Sequence, residues 1–234
     1  MPALQERSVE KELMDDLHSG GAVIDQTLRE LDVINRLLGG NAISINALKQ
    51  LTRQAPQSEY LVADLGCGSG DIMILMAKWA RKQGINMQFV GVDANPNIIA
   101  YAEDHCRDYP EISFQVANIF SEDFQAQEFD IIHSSLFTHH FSSEELIDLF
   151  SVWKAKTSVG IIVNDLHRHW LAWHSIRILT RLLSRSEMVR NDAAVSVARG
   201  FKRGELKSIL DKAGIGKRLL SWRWAFRWKV IYRT

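Results

Sequence analysis

One glycine-rich stretch constrains the fold of this chain more than any other feature: residues 60–71, Tyr-Leu-Val-Ala-Asp-Leu-Gly-Cys-Gly-Ser-Gly-Asp. An apolar run typical of a strand ends at Asp64, and glycines follow at Gly66, Gly68 and Gly70. Glycine accepts positive φ and lets the backbone approach a ligand closely. The apolar helix predicted after this loop offers free N–H groups to a polar or anionic group. The stretch therefore predicts a strand, a ligand-binding loop and a helix.

A second acidic strand end completes the signal. Residues 89–93 form an apolar strand that ends at Asp93, 23 residues after Gly70. In nucleotide-binding α/β folds, an acid about 20 residues beyond the loop binds a ribose hydroxyl. The glycine spacing is G-x-G-x-G, which differs from the G-x-G-x-x-G of dinucleotide sites. With this strand and acid, the chain resembles the class I S-adenosylmethionine (SAM) dependent methyltransferases. The alternatives are a domain for another nucleotide cofactor and a relative that binds nothing.

The resemblance implies SAM as the cofactor and S-adenosylhomocysteine (SAH) as its product. The cofactor-binding residues that it implies are Asp64, Gly66, Cys67, Gly68, Gly70, Asp93, Ala94, Asn118, Ile119 and Ser134. Many family members carry an acid at the position of Asn118, where it binds the adenine amino group. An amide oxygen accepts the same hydrogen bond, so Asn118 is a candidate for binding the adenine amino group.

The rest of the chain alternates between strand-like and helix-like segments. Strands are predicted at 60–65, 87–93, 112–117, 129–135 and 158–164, and helices at 71–83, 96–106 and 143–155. Parallel strands joined by right-handed crossovers give a doubly wound sheet. We therefore predict an α/β Rossmann-like fold with a seven-stranded, mostly parallel sheet. It carries N-terminal helices, a helical lid insert after the fifth strand and a C-terminal antiparallel hairpin.

We predict one methyltransferase domain over residues 1–234. Its parts are an N-terminal helical cap (1–56), a SAM-binding core (57–165), an acceptor lid insert (166–200), and a last helix with the closing hairpin (201–234). No internal repeat or long linker divides the chain. At this length a single domain buries a full core.

Six of the eight histidines lie between residues 133 and 174, and four of them follow the ends of two predicted strands. Imidazole groups generally titrate near pH 6.5 and can take a phenol or enol proton at neutral pH. Our first candidate for a general base is His167, and His139 and His140 are the next. For each of them, the alternative is a purely structural role.

The predicted lid insert begins with an amphipathic helix that carries arginines every four residues, and an ordered polar loop is predicted over 184–199. Candidate substrate-binding residues are Arg29 of the N-terminal helix, together with His169, Arg185 and Arg190. Guanidinium groups suit bidentate contacts to carboxylate or phenolate oxygens. In the competing interpretation, Arg190 and Asp192 only hold the loop in place.

We predict no metal site. Asn164-Asp165 resembles part of a magnesium site, but further acids at neighbouring strand ends are not evident. The pair His167 and His169 is spaced for zinc, yet no further cysteine or spaced histidine pair completes a four-ligand set.

The formal net charge is zero, but the charge is divided unevenly along the chain. Residues 1–165 carry 12 Lys and Arg against 24 Asp and Glu, while residues 166–234 carry 16 against 4. The two parts either attract each other, or the split serves an anionic substrate, a carrier protein, a membrane surface or nucleic acid. We do not expect nucleic acid as a partner. Two cysteines without metal spacing and the absence of a signal-peptide pattern predict a cytoplasmic protein. We expect a monomer or a homodimer.

The fourth strand is not followed by the Asn/Asp-Pro-Pro-Tyr/Phe segment of amino-directed methyltransferases. The chain looks most like bacterial small-molecule methyltransferases of quinone, phenolic-lipid or polyketide pathways. We therefore expect O-methylation of a small aromatic or polyketide-like acceptor. The alternatives are C-methylation of a quinone-type ring, RNA or protein methylation, and a non-catalytic SAM-binding protein.

Overall fold

The structure, a computed structural model, describes residues 4–234. Its centre is a single sheet. The strands are β1 (Glu59–Leu65), β2 (Asn86–Asp93), β3 (Ile112–Val116), β4 (Phe129–Ser135), β5 (Thr157–Leu166), β6 (Arg218–Arg223) and β7 (Arg227–Arg233). Their spatial order is β3-β2-β1-β4-β5-β7-β6. β1 to β5 are parallel, and β7 is antiparallel to both of its neighbours. The predicted fold class is confirmed.

Helices surround this sheet. They are α1 (Ala22–Leu37), α2 (Gly40–Gln54), α3 (Asp71–Gln83), α4 (Pro96–Cys106), α5 (Glu122–Gln125), α6 (Ser143–Ala155), α7 (Trp170–Leu183), α8 (Glu187–Arg199) and α9 (Arg203–Lys212). Short 3-10 turns occupy Leu13–Asp15 and Thr138–His140. The strand order reverses between β1 and β4, so the crevice at the C-terminal strand ends is the expected ligand position.

Local chemistry accounts for several helix boundaries. α6 begins with a capping box, in which the Ser142 hydroxyl accepts from the Glu145 N–H and the Glu145 carboxylate accepts from the Ser142 N–H. Two free helix-end donors are thereby satisfied. α3 ends at Gln83, and the following Gly84 adopts the left-handed conformation with φ of 66°. These signals are local, and the predicted bounds of α3 and α6 match the structure.

The predicted loop at 184–199 is wrong, because residues Glu187–Arg199 form α8. The Ser186 hydroxyl caps this helix by accepting from the Val189 N–H at 3.3 Å. The buried residues of this helix lie on several of its sides: Met188, Val189, Asp192, Val195, Val197, Ala198 and Arg199. A helix buried on several faces has no single apolar stripe, so its period is hidden in the sequence.

No helix within residues 4–234 has both the length and the apolar composition needed to cross a bilayer.

Candidate functional site

A cavity of about 310 Å³ opens at the C-terminal ends of β1, β2 and β4. Eight of the ten predicted cofactor residues line it: Asp64, Gly66, Cys67, Gly68, Asp93, Ala94, Asn118 and Ile119. The other two, Gly70 and Ser134, lie behind it. A Cβ on Gly70 would meet the Cys106 sulfur at 2.7 Å, so this glycine permits close packing of α4. Ser134 is buried in β4, and the next residue, Ser135, lines the cavity instead.

The glycine loop has little room for side chains. Gly66 and Gly68 have φ angles of 69° and 52°, in the left-handed region that favours glycine. A Cβ on Gly66 would lie 2.3 Å from the Phe137 ring. Leu136, with φ of 53°, turns the chain after β4 and brings Phe137 against the loop. The first glycine is therefore required by a close approach as well as by its backbone conformation.

The two acids named from the sequence occupy different positions at the strand ends. The Asp64 carboxylate lies 2.6 Å from His133 Nδ1, and His133 Nε2 lies 2.8 Å from the Ser44 hydroxyl. The second carboxylate oxygen of Asp64, Oδ2, is buried with no hydrogen-bond partner among residues 4–234. Asp93 Oδ1 accepts from the Asn95 N–H at 3.0 Å, and burial raises the pKa of the Asp93 carboxyl. Both carboxylates are held in place before any ligand binds.

Five aspartates line the cavity: Asp15, Asp32, Asp64, Asp71 and Asp93. Burial, followed by the nearby Asp32 side chain, raises the pKa of Asp71 to about 7. Close carboxylates disfavour each other's ionisation, and a bound cation relieves this repulsion. The acid-rich lining thus suits a positively charged ligand such as SAM, and the sequence had not indicated Asp32 or Asp71.

The segment after β3 forms the side of the cavity where the resemblance places the adenine. Asn118, Ile119 and Phe120 all line it. Asn118 Oδ1 accepts from the Phe120 N–H at 3.0 Å, so one of its two lone pairs is already used. The glycine loop, Asp93 and this segment together provide backbone space, a carboxylate and apolar contacts for a nucleoside.

The loop of residues 136–141 forms an aromatic end of the cavity, which adjoins the glycine loop through Phe137. Phe137 packs edge-on against Phe141 with ring centroids 5.0 Å apart, and Phe120 packs on Phe141 at 5.3 Å. Distant segments clamp this loop, because Arg7 donates to the His139 and Phe141 carbonyls. The cavity therefore has an acidic, glycine-lined end and an aromatic end.

His139 lies beneath the aromatic end and does not line the cavity. Its Nδ1 is 2.7 Å from Asp165 Oδ1, and its Nε2 is 3.3 Å from Glu12 Oε1. Burial alone would lower the pKa of His139, but the Asp165 and Glu12 carboxylates outweigh it and raise that pKa to about 9. His139 is therefore a buried imidazolium that joins β5 to the N-terminal segment.

His140 differs from its neighbour because it lines the cavity. Its Nδ1 lies 2.6 Å from Asp15 Oδ1, and Arg199 donates to the other Asp15 oxygen at 2.7 Å. Burial opposes ionisation of Asp15, but the hydrogen bonds from His140 and Arg199 prevail and lower the Asp15 pKa. No sequence motif includes Asp15 or Arg199, because their contact forms only when distant segments of the folded chain meet.

The remaining two predicted histidines lie outside the cavity. His167 Nδ1 accepts from the Trp222 indole N–H at 3.2 Å, and burial followed by nearby His169 and Arg168 lowers the His167 pKa. His169 caps α7 by accepting from the Leu171 N–H at 3.1 Å. Both contacts are typical of structural residues.

The predicted substrate-binding arginines also lie apart from the cavity. Arg190 donates to the Ser184 carbonyl at 2.9 and 2.6 Å, and thereby fixes the turn before α8. The Arg185 backbone N–H donates to Glu30 at 3.1 Å, while its side chain is exposed. Arg29 is exposed on α1, whereas the neighbouring Leu28 lines the cavity.

Glu12, His139 and His140 bring three ligand atoms within 4.8 Å of one another, a spacing that a metal ion can bridge. However, the Arg199 guanidinium lies 3.6 Å from the same Glu12 oxygen. A metal ion would have to displace the His139 proton and lie beside this cation. The contacts therefore favour a protonated cluster over a metal centre.

The sheet order, the glycine loop and Asp93 at the next strand end define a class I SAM-dependent methyltransferase. The chain matches the family described as "Methyltransferase domain" over residues 56–214 and belongs to that family. No curated protein sequence matches the chain significantly.

Solved methyltransferases share the fold at low sequence identity. Magnesium protoporphyrin IX methyltransferase from Synechocystis PCC 6803, with bound SAH, is 15% identical with a TM-score of 0.57, over 85% of this chain and 84% of that chain. The plantazolicin methyltransferase with SAH is also 15% identical, with a TM-score of 0.59 and coverages of 85% and 77%. Human N-acetylserotonin methyltransferase with SAM is 17% identical, with a TM-score of 0.67 over 97% and 60%. SAM is accordingly the cofactor for which this site is built.

Proposed function

We propose that this protein transfers the methyl group of SAM to a hydroxyl oxygen of a small aromatic or polyketide-like acceptor, with His140 as the general base. One observation carries the proposal: His140 lines the cavity that also contains the glycine loop, and Asp15 holds its Nδ1 at 2.6 Å. The sequence had favoured His167, which lies outside that cavity.

The cofactor would be held by Gly66, Gly68 and Asp93, with the cavity acids facing its positive charges. When bound, SAM supplies an electrophilic methyl group. A neutral His140 would donate its Nδ1–H to Asp15, and its Nε2, which lies 3.9 Å from Glu12 Oε1, would accept the proton of the acceptor. Removing the acceptor's hydroxyl proton raises the nucleophilicity of its oxygen, and the rest of catalysis is positioning.

The aromatic end supports a flat, apolar acceptor. Phe120, Phe137 and Phe141 pack edge-to-face and present ring surfaces at the cavity. Aromatic walls with a few placed polar groups are typical of small-molecule sites. Some proteins that share the fold are named for magnesium protoporphyrin IX, plantazolicin and N-acetylserotonin. We infer an acceptor of that broad kind, bound beside His140.

The first experiment identifies the acceptor. The protein is incubated with SAM labelled at its methyl group and an extract of the source cells, and the labelled product is identified by mass spectrometry. We expect a small molecule with a new methyl ether. A label found only in RNA or protein would reject the proposal.

The second experiment tests the base. We expect His140→Gln to lower kcat by about 10²- to 10⁴-fold while SAM affinity stays nearly unchanged. His169→Gln is the matched control outside the cavity and should retain most activity. If His140→Gln keeps its turnover, the base assignment is wrong. We expect EDTA to have no effect, and activity that is lost with EDTA and restored by a metal ion would assign the cluster to metal binding.

A further inference from the structure

α7 exposes its apolar residues to solvent. Only Ala172 and Thr180 of this helix are buried. The opposite face carries Trp170, Leu171, Ile178 and Leu182, with exposed fractions of 61, 43, 61 and 76%. On a surface helix the apolar residues ordinarily face the core, so α7 carries an additional apolar face that is turned to solvent.

The hairpin of β6 and β7 extends this apolar face. Trp222 and Trp224 are 43 and 70% exposed. A chain of ring contacts connects Trp222 to α7: Trp222 to Phe226 at 6.0 Å, Phe226 to His169 at 5.2 Å, and His169 to Trp170 at 5.8 Å. The exposed apolar residues of the helix and hairpin thus form one region, the α7–hairpin surface: Trp170, Leu171, Ile178, Leu182, Trp222 and Trp224.

Basic side chains accompany this surface, and acidic ones do not. On α7, Arg181 is exposed beside the apolar residues, and Arg177 lies over the Trp173 ring at 4.3 Å. Arg223 is exposed on the hairpin between the two tryptophans. Neither residues 170–183 nor residues 217–234 contain an aspartate or glutamate. The surface therefore combines an apolar face with positive charge alone.

We propose that the α7–hairpin surface docks on an anionic lipid bilayer. Helices that lie in the interface of a bilayer combine Trp and Leu on one face with Lys or Arg at its edge. Each basic side chain near an anionic leaflet contributes additional attraction. A second copy of the chain fits less well, because the arginines of two facing copies would meet without acidic partners. The apolar area and the charge thus favour the same occupant.

Vesicle sedimentation tests the proposal with the 234-residue chain. We expect binding to vesicles of equimolar phosphatidylcholine and phosphatidylglycerol, and much weaker binding to phosphatidylcholine alone. Leu182→Glu and Arg181→Glu should each weaken partitioning by roughly ten-fold or more. The matched controls are Val116→Glu, on the strand at the other edge of the sheet, and Lys82→Glu on α3. Both should bind like the natural chain.

Equal binding to both vesicle types, no binding to either, or equal losses in the control variants would overturn the proposal. Sedimentation velocity examines the rival occupant. If the protein is a dimer that Leu182→Glu converts to a monomer, the surface is an interface between copies and the proposal is wrong. These readouts do not depend on methyl transfer, so they remain informative even if the proposed function fails.

Discussion

The two ends of the cavity are built in opposite ways. The cofactor end comes mainly from β1, the glycine loop and the end of β2, which are neighbours in both the sequence and the sheet. The aromatic end, which we propose binds the acceptor and here call the acceptor end, brings together Glu12 and Asp15 from the N-terminal segment, the loop at 136–141, Asp165 of β5 and Arg199 of α8. The first end is specified locally, whereas the second exists only when distant segments meet. Substitutions should therefore act differently at the two ends.

The largest effect is expected at the cofactor end. In Gly66→Ala the new Cβ collides with the Phe137 ring, since only 2.3 Å separates their positions. We expect SAM affinity to fall by roughly a hundred-fold, because the loop must move away from its ligand-binding position. Titration calorimetry with SAM measures this loss.

Gly84→Ala is the matched control for that substitution. Gly84 has a similar positive φ of 66°, but no atom lies within 4 Å of its would-be Cβ. Strain alone should cost about 1 kcal/mol of stability without weakening SAM binding. If Gly66→Ala binds SAM as well as Gly84→Ala does, the close approach to Phe137 has no functional role.

At the acceptor end we expect a loss of stability. His139→Asn leaves the Asp165 and Glu12 carboxylates buried without their imidazolium partner, which should reduce the free energy of unfolding by about 3–5 kcal/mol. Urea denaturation followed by circular dichroism measures the change. His169→Ala removes only a helix cap and should cost about 1 kcal/mol. Similar losses in the two variants would contradict the buried ion-pair arrangement.

The same cluster predicts a pH dependence. The His139 pKa is raised to about 9 in the folded protein, from about 6.5 in the unfolded chain. Its proton therefore stabilises the fold fully below about pH 6.5, and this contribution is lost as the pH rises through about 9. Urea midpoints across this range should decrease in the natural chain and change less in His139→Asn. Parallel curves for the two proteins would show that His139 does not titrate in this way.

A smaller effect of pH is expected at the cofactor end. Burial and the neighbouring Asp32 raise the Asp71 pKa to about 7, so the carboxyl becomes fully ionised only above neutrality. SAM carries a sulfonium charge and should bind roughly five-fold more tightly at about pH 8 than at about pH 6. SAH, which lacks that charge, should depend less on pH. Calorimetry with Asp71→Asn should show a flatter SAM profile, and an unchanged slope would remove Asp71 from the explanation.

Sequence patterns predicted the cofactor end well because its signals are local. The strand ending at Asp64, the loop glycines and Asp93 lie within one βαβ unit, where backbone conformation and residue spacing determine position. Gly70 shows the limit of this reasoning: it belongs to the motif, yet its missing side chain accommodates Cys106. A pattern identifies the motif, but the packing decides what each glycine contributes.

The acceptor end was predicted less well for a physical reason. The rings of the neighbouring His139 and His140 lie only 4.4 Å apart, and only their distant partners Asp165 and Asp15 distinguish their roles. α8 was missed because it is buried on several faces and has no clear period. α7 was predicted as an amphipathic helix, but the sequence does not indicate that its apolar residues face solvent.

The central claim is that one cavity brings the cofactor to His140, and a crystal structure with bound SAH tests it most directly. We expect the ribose hydroxyls on the Asp93 carboxylate, the adenine beside Asn118 and Ile119, and the sulfur facing the part of the cavity lined by His140. SAH bound elsewhere, or bound with its sulfur turned away from His140, would contradict this arrangement.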